Sequence, residues 1–244
     1  NFNMKIFSNL RNSFLKFFGD LKVFPFPLFL LYNPGSYLVK GEDMRQAINL
    51  VKPGDILIRG YRNYLDGYFI PGFFSHVGLF LGEVPKQGHD ALVPDVLEKF
   101  YKKGTQIVMH SMAKGVFMED VLNFCRCDYM VILRRNEAIE PAEIKAVTFD
   151  KIYQTAMKSL GKPYDFKFDF SQFHTLSCTE FVYASDLELM KFYDVTIKPR
   201  RVLGIKKDML IPDDFIMPKF QVVWKSRSVK DKKWEKILKK NSSS

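Results

Sequence analysis

A thiol, two imidazoles and a helix start are the parts of this sequence from which nucleophilic chemistry can be built. Cys178 lies in the stretch Ser177-Cys178-Thr179-Glu180-Phe181-Val182-Tyr183, and about a hundred residues earlier stands Ser75-His76-Val77-Gly78. Ser177 and Glu180 have the spacing of a capping box, in which each side chain satisfies a free backbone N–H at a helix start. Phe181, Val182, Ser185 and Leu189 recur at helical spacing, which predicts a helix running from the box to about Leu189. Cys178 then occupies the first helical position. There the positive end of the helix dipole and free N–H groups favour a thiolate, the nucleophilic form of the residue.

A cysteine nucleophile needs an imidazole within hydrogen-bond reach and a third polar group to orient it. The chain has only four histidines. His76 and His110 fall on two expected strands that can be neighbours in one antiparallel sheet, with His76 as base and His110 accepting its other N–H. His89, beside Gly88 and Asp90, reads as a surface residue. His174 is close to Cys178 in sequence, but the helix cap turns the cysteine away from it.

The positioning elements follow from periodicity and breakers. Glu42 to Val51 reads as a short helix, and Lys52-Pro53-Gly54-Asp55 as a turn into the strand Ile56-Leu57-Ile58-Arg59. Gly60 to Phe74, rich in Tyr, Phe and Gly, reads as a loop walling a cleft. Ser75 to Gly82 is an expected strand with His76, Gly78, Phe80 and Gly82 on one face, its glycines leaving room for a close approach. Glu83 to Gly104 reads as an insertion. Gln106 to Ser111 and Tyr129 to Arg134 read as strands, with Gly115-Val116 and Asp120 to Phe124 giving a turn and a short helix. Glu140-Pro141-Ala142-Glu143 opens a helix with the stripe Ala146, Phe149, Tyr153, Met157 and Leu160, stopped by Gly161 and Pro163. Tyr164 to His174 is an aromatic loop feeding the cysteine helix.

The two ends have their own character. Residues 1–22 carry Ile6, Phe7, Leu10, Phe14, Phe17, Phe18 and Leu21 on one helical face among Lys5, Arg11, Lys16 and Lys22, the pattern of a basic amphipathic helix. The apolar run Val23 to Tyr32, interrupted by Pro25 and Pro27, is too short for a membrane span and lacks a small-residue cleavage site. From Lys225 to Lys240 there are eight basic and two acidic residues. The expected organisation is an N-terminal arm (1–45), one α+β domain (46–224) and a basic tail (225–244). The formal charge of +10 points to an anionic partner, a membrane surface met through arm and tail or a cell-wall polymer. No nucleic-acid module accompanies the charge, so nucleic acid is the least favoured partner. The compartment is left open between the cytoplasm and the membrane periphery.

Taken in order, Gly54-Asp55-Ile56-Leu57, Ser75-His76-Val77-Gly78, His110 to Val116, Gly161-Lys162-Pro163-Tyr164-Asp165 and Ser177-Cys178-Thr179-Glu180-Phe181-Val182 resemble the circularly permuted branch of the NlpC-type papain-like cysteine hydrolases, the YiiX/YebB-like proteins. The cysteine follows the histidine here, whereas in ordinary papain-like enzymes it precedes it. The resemblance covers roughly residues 50 to 190. It implies an antiparallel sheet packed against the helix that carries the cysteine, with Cys178 as nucleophile, His76 as base and His110 as third polar residue, where glutamate is expected in many relatives. It implies Tyr164 lining the site beside Ser75 and Ser177, the last replacing an expected aromatic residue. It also implies an amide substrate, foremost in a cell-wall (peptidoglycan) peptide. A lipid acyl hydrolase or acyltransferase is a second reading, and an inactive peptide- or lipid-binding module a third.

Cys125-Arg126-Cys127 has one intervening residue and no second pair, so it reads as buried thiols and not as a zinc site. No phosphate-binding glycine loop or nucleotide fingerprint is present. The expectation is an enzyme without metal or cofactor.

Overall fold

A computed structural model describes residues 21–25, 28–32, 37–62, 71–84, 95–166, 170, 173–202 and 205–242. Its centre is a six-stranded antiparallel sheet in the order β10-β7-β3-β4-β5-β6. The strands are β3 (Ile56–Gly60), β4 (His76–Val84), β5 (Gly104–Met112), β6 (Gly115–Asp120), β7 (Tyr129–Arg134) and β10 (Gln221–Lys225). Two hairpins stand apart from it: β1 (Leu21–Pro25) with β2 (Leu28–Tyr32), and β8 (Lys198–Val202) with β9 (Ile205–Met209).

Strand alternation gives the sheet two apolar faces, because successive side chains point to opposite sides. Ile56, Ile58, Val77, Leu79, Met109, Val116, Val131 and Leu133 line one face. Against it pack α4 (Phe149–Met157), α5 (Cys178–Ser185), α6 (Leu187–Phe192) and α7 (Asp231–Ser242), through Ile152, Phe181, Val182, Leu189 and Ile237. Leu57, Phe80, Val108, Met130 and Ile132 line the other face, which Ala47 of α1 (Gly41–Leu50) and Val121 and Phe124 of α2 (Val121–Phe124) cover. Each large apolar side chain buried in this way contributes roughly 1.5–3 kcal/mol. The fold is thus α+β, with the antiparallel sheet packed against the helix carrying Cys178.

Several expectations change at element boundaries. Residues 1–20 of the expected N-terminal helix lie outside the described residues, and Leu21 and Lys22 already belong to strand β1. The run to Tyr32 forms a hairpin; its prolines are incompatible with a helix interior. The single helix expected from Glu140 to Leu160 is two, α3 (Ala142–Lys145) and α4, because Thr148 breaks in as an N-cap and accepts the Lys151 N–H. The cysteine helix likewise ends at Ser185, and Asp186 caps α6 by accepting the Leu189 N–H. Gly115 to Asp120, expected to begin as a turn, is a strand. Most of the Gly60 to Phe74 loop lies outside the described residues.

The basic C-terminal run forms α7, which folds back on the domain. Ile237 is buried, and the Asn241 amide donates to the carbonyls of Asp213 and Ile216. Those carbonyls belong to and follow the short 3-10 helix Pro212–Phe215.

Candidate active site

His76 is the first residue of β4, and His110 sits on the neighbouring β5. Their rings cross almost at right angles, at 83°, with 2.8 Å between His76 Nε2 and His110 Nδ1. Gly78 makes this approach possible. A Cβ on it would stand 2.9 Å from the Phe124 ring, 3.0 Å from Val108 and 3.2 Å from the His110 Cβ. The room left by that glycine is filled by the second imidazole and the ring of α2.

Beyond His110, on β6, stands Glu119. Its Oε1 lies 2.9 Å from His110 Nε2 and 3.6 Å from the Arg59 guanidinium. Arg59 pairs directly across from His76 in the β3–β4 ladder. It is 4 % exposed, donates to the Phe124 carbonyl at 3.1 Å and stacks on the Phe124 ring at 4.2 Å. Four strands, β3, β4, β5 and β6, therefore supply a row of Arg59, His76, His110 and Glu119, the first three buried and the last partly so.

Burial sets the protonation of this row. It pushes the His76 imidazole well below 6.5, helped by the positive Arg59 and by His110. Burial also takes His110 down to about 4, although Glu119 opposes the shift. Glu119 is held below the ordinary carboxylate value of 4.5: burial raises it, but the contact with His110 and the charges of Arg59 and Lys114 outweigh that. The resting row is neutral imidazoles beside an ionised carboxylate and a guanidinium.

Cys178 opens α5 on the other side of β4. The capping box is formed: Ser177 Oγ accepts the Glu180 N–H at 3.3 Å, and Glu180 Oε2 accepts the Ser177 N–H at 2.6 Å. Thr179 Oγ1 donates to the Leu210 carbonyl at 3.0 Å, and the Ser111 hydroxyl of β5 donates to the Leu176 carbonyl. The thiol is 3 % exposed and faces the backbone N–H groups of Val77, next after His76, and Thr179. Its helix position alone predicts a lowered pKa. Burial pushes the thiol instead up to about 11, and those N–H groups offset only part of the rise.

His76 and His110 are thus brought into direct contact, and Cys178 reaches β4 one residue along, at Val77. Among the described residues no hydrogen bond joins Cys178 directly to His76. Cys178, the first residue of its helix, thus lies against β4 one residue beyond His76, the first residue of that strand. Tyr164 is half-buried, 4.9 Å from the Phe166 ring. Its loop is docked by Val116, whose N–H donates to the Lys162 carbonyl, and by Leu176, whose N–H donates to that of Pro163. Gly115 (φ 103°) leaves space there, since a Cβ would collide with the Lys162 oxygen. Ser177 is fully buried, its hydroxyl engaged with Glu180 N–H and Thr179 Oγ1, so it supports the helix start from within. Ser75 is buried, and its hydroxyl has no hydrogen-bond partner among the described residues. His174 is exposed, and His89 lies outside the described residues.

A family model described as a permuted papain-like amidase enzyme, YaeF/YiiX, C92 family, matches residues 50–238. The chain belongs to this family. The match takes in the segment from 190 to 238 that the sequence motifs left unexplained. Among solved structures, the crystal structure of the metalloprotein YiiX from Escherichia coli O157:H7 is similar, with a TM-score of 0.49 and 17 % identity over 72 % of this chain and 98 % of that one. No curated protein matches. As a member of the permuted papain-like amidases, the chain is a cysteine hydrolase of the amidase/peptidase type. No helix among the described residues is long and apolar enough to cross a membrane, and among them no three His, Cys, Asp or Glu side chains converge as metal ligands.

Sequence reasoning missed three residues of this amidase's site region. Glu119 shares a face of β6 with Phe117, the residue paired with His110, and a charged side chain at an inward strand position is the signal that exposes it. Arg59 carries the same signal at the end of an apolar strand. Asp213 accepts the N–H groups of Phe73 and Phe74, both at 2.8 Å, and so pins the backbone immediately before Ser75-His76. Nothing local in the sequence marks that contact across 139 residues.

Proposed function

We propose that the chain cleaves an amide bond through a thioester on Cys178, with His76 as the base, His110 as the residue that orients it, and a cell-wall peptide as the foremost substrate. The observation that carries the reading is the His76–His110 contact through Nε2, which leaves Nδ1 of His76 for the thiol whose helix start lies against the same strand. Because burial holds the thiol high and the imidazole low, the pair is neutral at rest. Proton transfer from Sγ to His76 Nδ1 therefore accompanies attack on the carbonyl carbon. The oxyanion faces the free N–H of Cys178 at the first helical position. His76 then gives its proton to the departing amine as the C–N bond breaks, leaving a thioester. Water, deprotonated by the same imidazole, attacks the thioester, releases the acid and restores the thiol. Tyr164 and Ser75 flank the cleft, and Ser177 keeps Cys178 at the helix start.

The test is turnover of purified peptidoglycan stem peptides, with products read by mass spectrometry and rapid-quench capture of an acyl adduct on Cys178. The expected result is an adduct in the wild type and turnover at least about a thousandfold lower in Cys178→Ser and His76→Ala. Undiminished turnover in Cys178→Ser overturns the reading.

A second reading, lipid acyl chemistry at an anionic surface, is favoured by the β8–β9 hairpin. Arg201 and Lys206 are both exposed and stand directly opposite each other. Like charges in that position are destabilising, and an anionic surface relieves the repulsion. The expected result is binding to vesicles containing phosphatidylglycerol, reduced several-fold in the double variant Arg201→Glu, Lys206→Glu, with Cys178-dependent release of fatty acid. Absence of both leaves the cell-wall peptide as the substrate class.

A further inference from the structure

We propose that Glu119 is a positioning residue that sets which nitrogen of His76 is basic, acting through His110. The inference rests on the catalytic reading of Cys178 and His76 given above. A neutral imidazole carries one N–H and one lone pair, and the hydrogen bond made by one nitrogen fixes the state of the other. Glu119, ionised beside Arg59, can only accept; its Oε1 stands 2.9 Å from His110 Nε2, too bent for a full hydrogen bond but close enough to favour a proton on that nitrogen over a lone pair. His110 Nδ1 is then a lone pair. The nitrogen 2.8 Å away, His76 Nε2, must supply the hydrogen between them. His76 is left with a bare Nδ1, the form a base for the Cys178 thiol requires. The carboxylate thus writes one tautomer through two rings.

Arg59 completes the device. At 3.6 Å its guanidinium keeps Glu119 an acceptor, and its charge, with that of Lys114, disfavours a proton on His110. With Glu119 ionised and both rings neutral, the alternative arrangement, with the proton on Nδ1 of each ring, aims the His110 Nε2 lone pair at a carboxylate. That arrangement sets a lone pair against a carboxylate in a water-poor site, enough to depopulate it by roughly tenfold or more. The 19 % side-chain exposure of Glu119 lets it be changed without opening the core.

The experiment uses the full chain with 15N-labelled histidine, reading the tautomers of His76 and His110 by long-range 15N–1H correlation. Acylation of Cys178 by 4-nitrophenyl acetate is followed in parallel by mass spectrometry. The wild type is expected to hold His110 and His76 as Nε2–H tautomers. Glu119→Ala is expected to mix the tautomers and to lower the acylation rate constant about 10- to 100-fold with little change in KM. Glu119→Gln, whose carbonyl can still accept, is expected to lie between the two and serves if the alanine variant does not fold. Unchanged tautomers in both variants overturn the proposal, as do altered tautomers with an unchanged acylation rate. His76→Ala and Cys178→Ala, run alongside, separate this outcome from failure of the catalytic reading itself: if Cys178 acylates normally in His76→Ala, or the protein takes up an acetyl group just as fast in Cys178→Ala, it is that reading which falls.

Discussion

The His110 ring is fully buried between His76, Phe117 and Phe124, and its Nδ1 lies 2.8 Å from His76 Nε2. A ring so enclosed cannot take up a proton cheaply, and this has a measurable consequence for stability.

Burial brings His110 to about 4 in the folded chain against an ordinary 6.5. A depressed folded value means the stabilisation is fully present above pH 6.5 and is lost as pH falls toward 4, on the order of 3 kcal/mol in all. Glu180 works in the opposite sense. Raised by burial to about 7, it favours the fold below its ordinary 4.5 and loses that contribution as pH rises through 7. The difference between wild type and His110→Gln isolates the histidine. Urea titrations from pH 7 to 4 are expected to show the wild type losing stability more steeply; parallel curves refute a neutral buried His110.

Gly78→Ala puts a methyl group 2.9 Å from Phe124 and 3.2 Å from the His110 Cβ. Overpacking of this kind costs about 1–3 kcal/mol. The rings must also part, so hydrolysis is expected to fall further than the folded fraction does. Denaturation and acylation kinetics on the same sample test this.

Ser177→Ala removes the hydroxyl that accepts the Glu180 N–H at the start of α5. Loss of an N-cap costs about 0.5–2 kcal/mol, and burial of the site places the expected value in the upper half of that range. Equilibrium unfolding gives the number; a change below about 0.3 kcal/mol is incompatible with the cap.

Asp213→Ala frees the N–H groups of Phe73 and Phe74. Of these, the buried Phe74 N–H left without an acceptor costs about 1–3 kcal/mol and the partly buried Phe73 N–H less. Because those donors lie just before Ser75-His76, acylation of Cys178 is expected to slow in the fraction that remains folded. Asp213→Asn, with one carbonyl oxygen, is expected to recover part of both losses.

The site's parts were legible where chemistry is local. The capping box at Ser177 and Glu180 is a four-residue pattern, and it forms as read. The strands around His76 and His110 carry period-2 patterns and pair as antiparallel neighbours. What stayed hidden depends on partners far along the chain. Thr148 and Asp186 look like ordinary polar residues in a helical stripe until their side chains turn to cap a new helix. The Cys178 thiol follows its helix-start chemistry only while exposed, and the depth of its burial is a property of the packed sheet. Glu119 and Arg59 gain meaning only when β3, β4, β5 and β6 are laid side by side.

Leu210 and Asp213 stand three residues apart and hold, respectively, Thr179 beside the nucleophile and the backbone ahead of the imidazole. In a chain made from its N-terminus, the histidine strand is translated first, the cysteine helix about a hundred residues later, and this clasp last of all. A ribosome-bound chain halted near residue 195 would already contain Arg59, His76, His110, Glu119 and Cys178, yet lack the contacts that Leu210 and Asp213 make to Thr179, Phe73 and Phe74. The order of synthesis thus leaves the pinning of both stretches to a segment made after either of them.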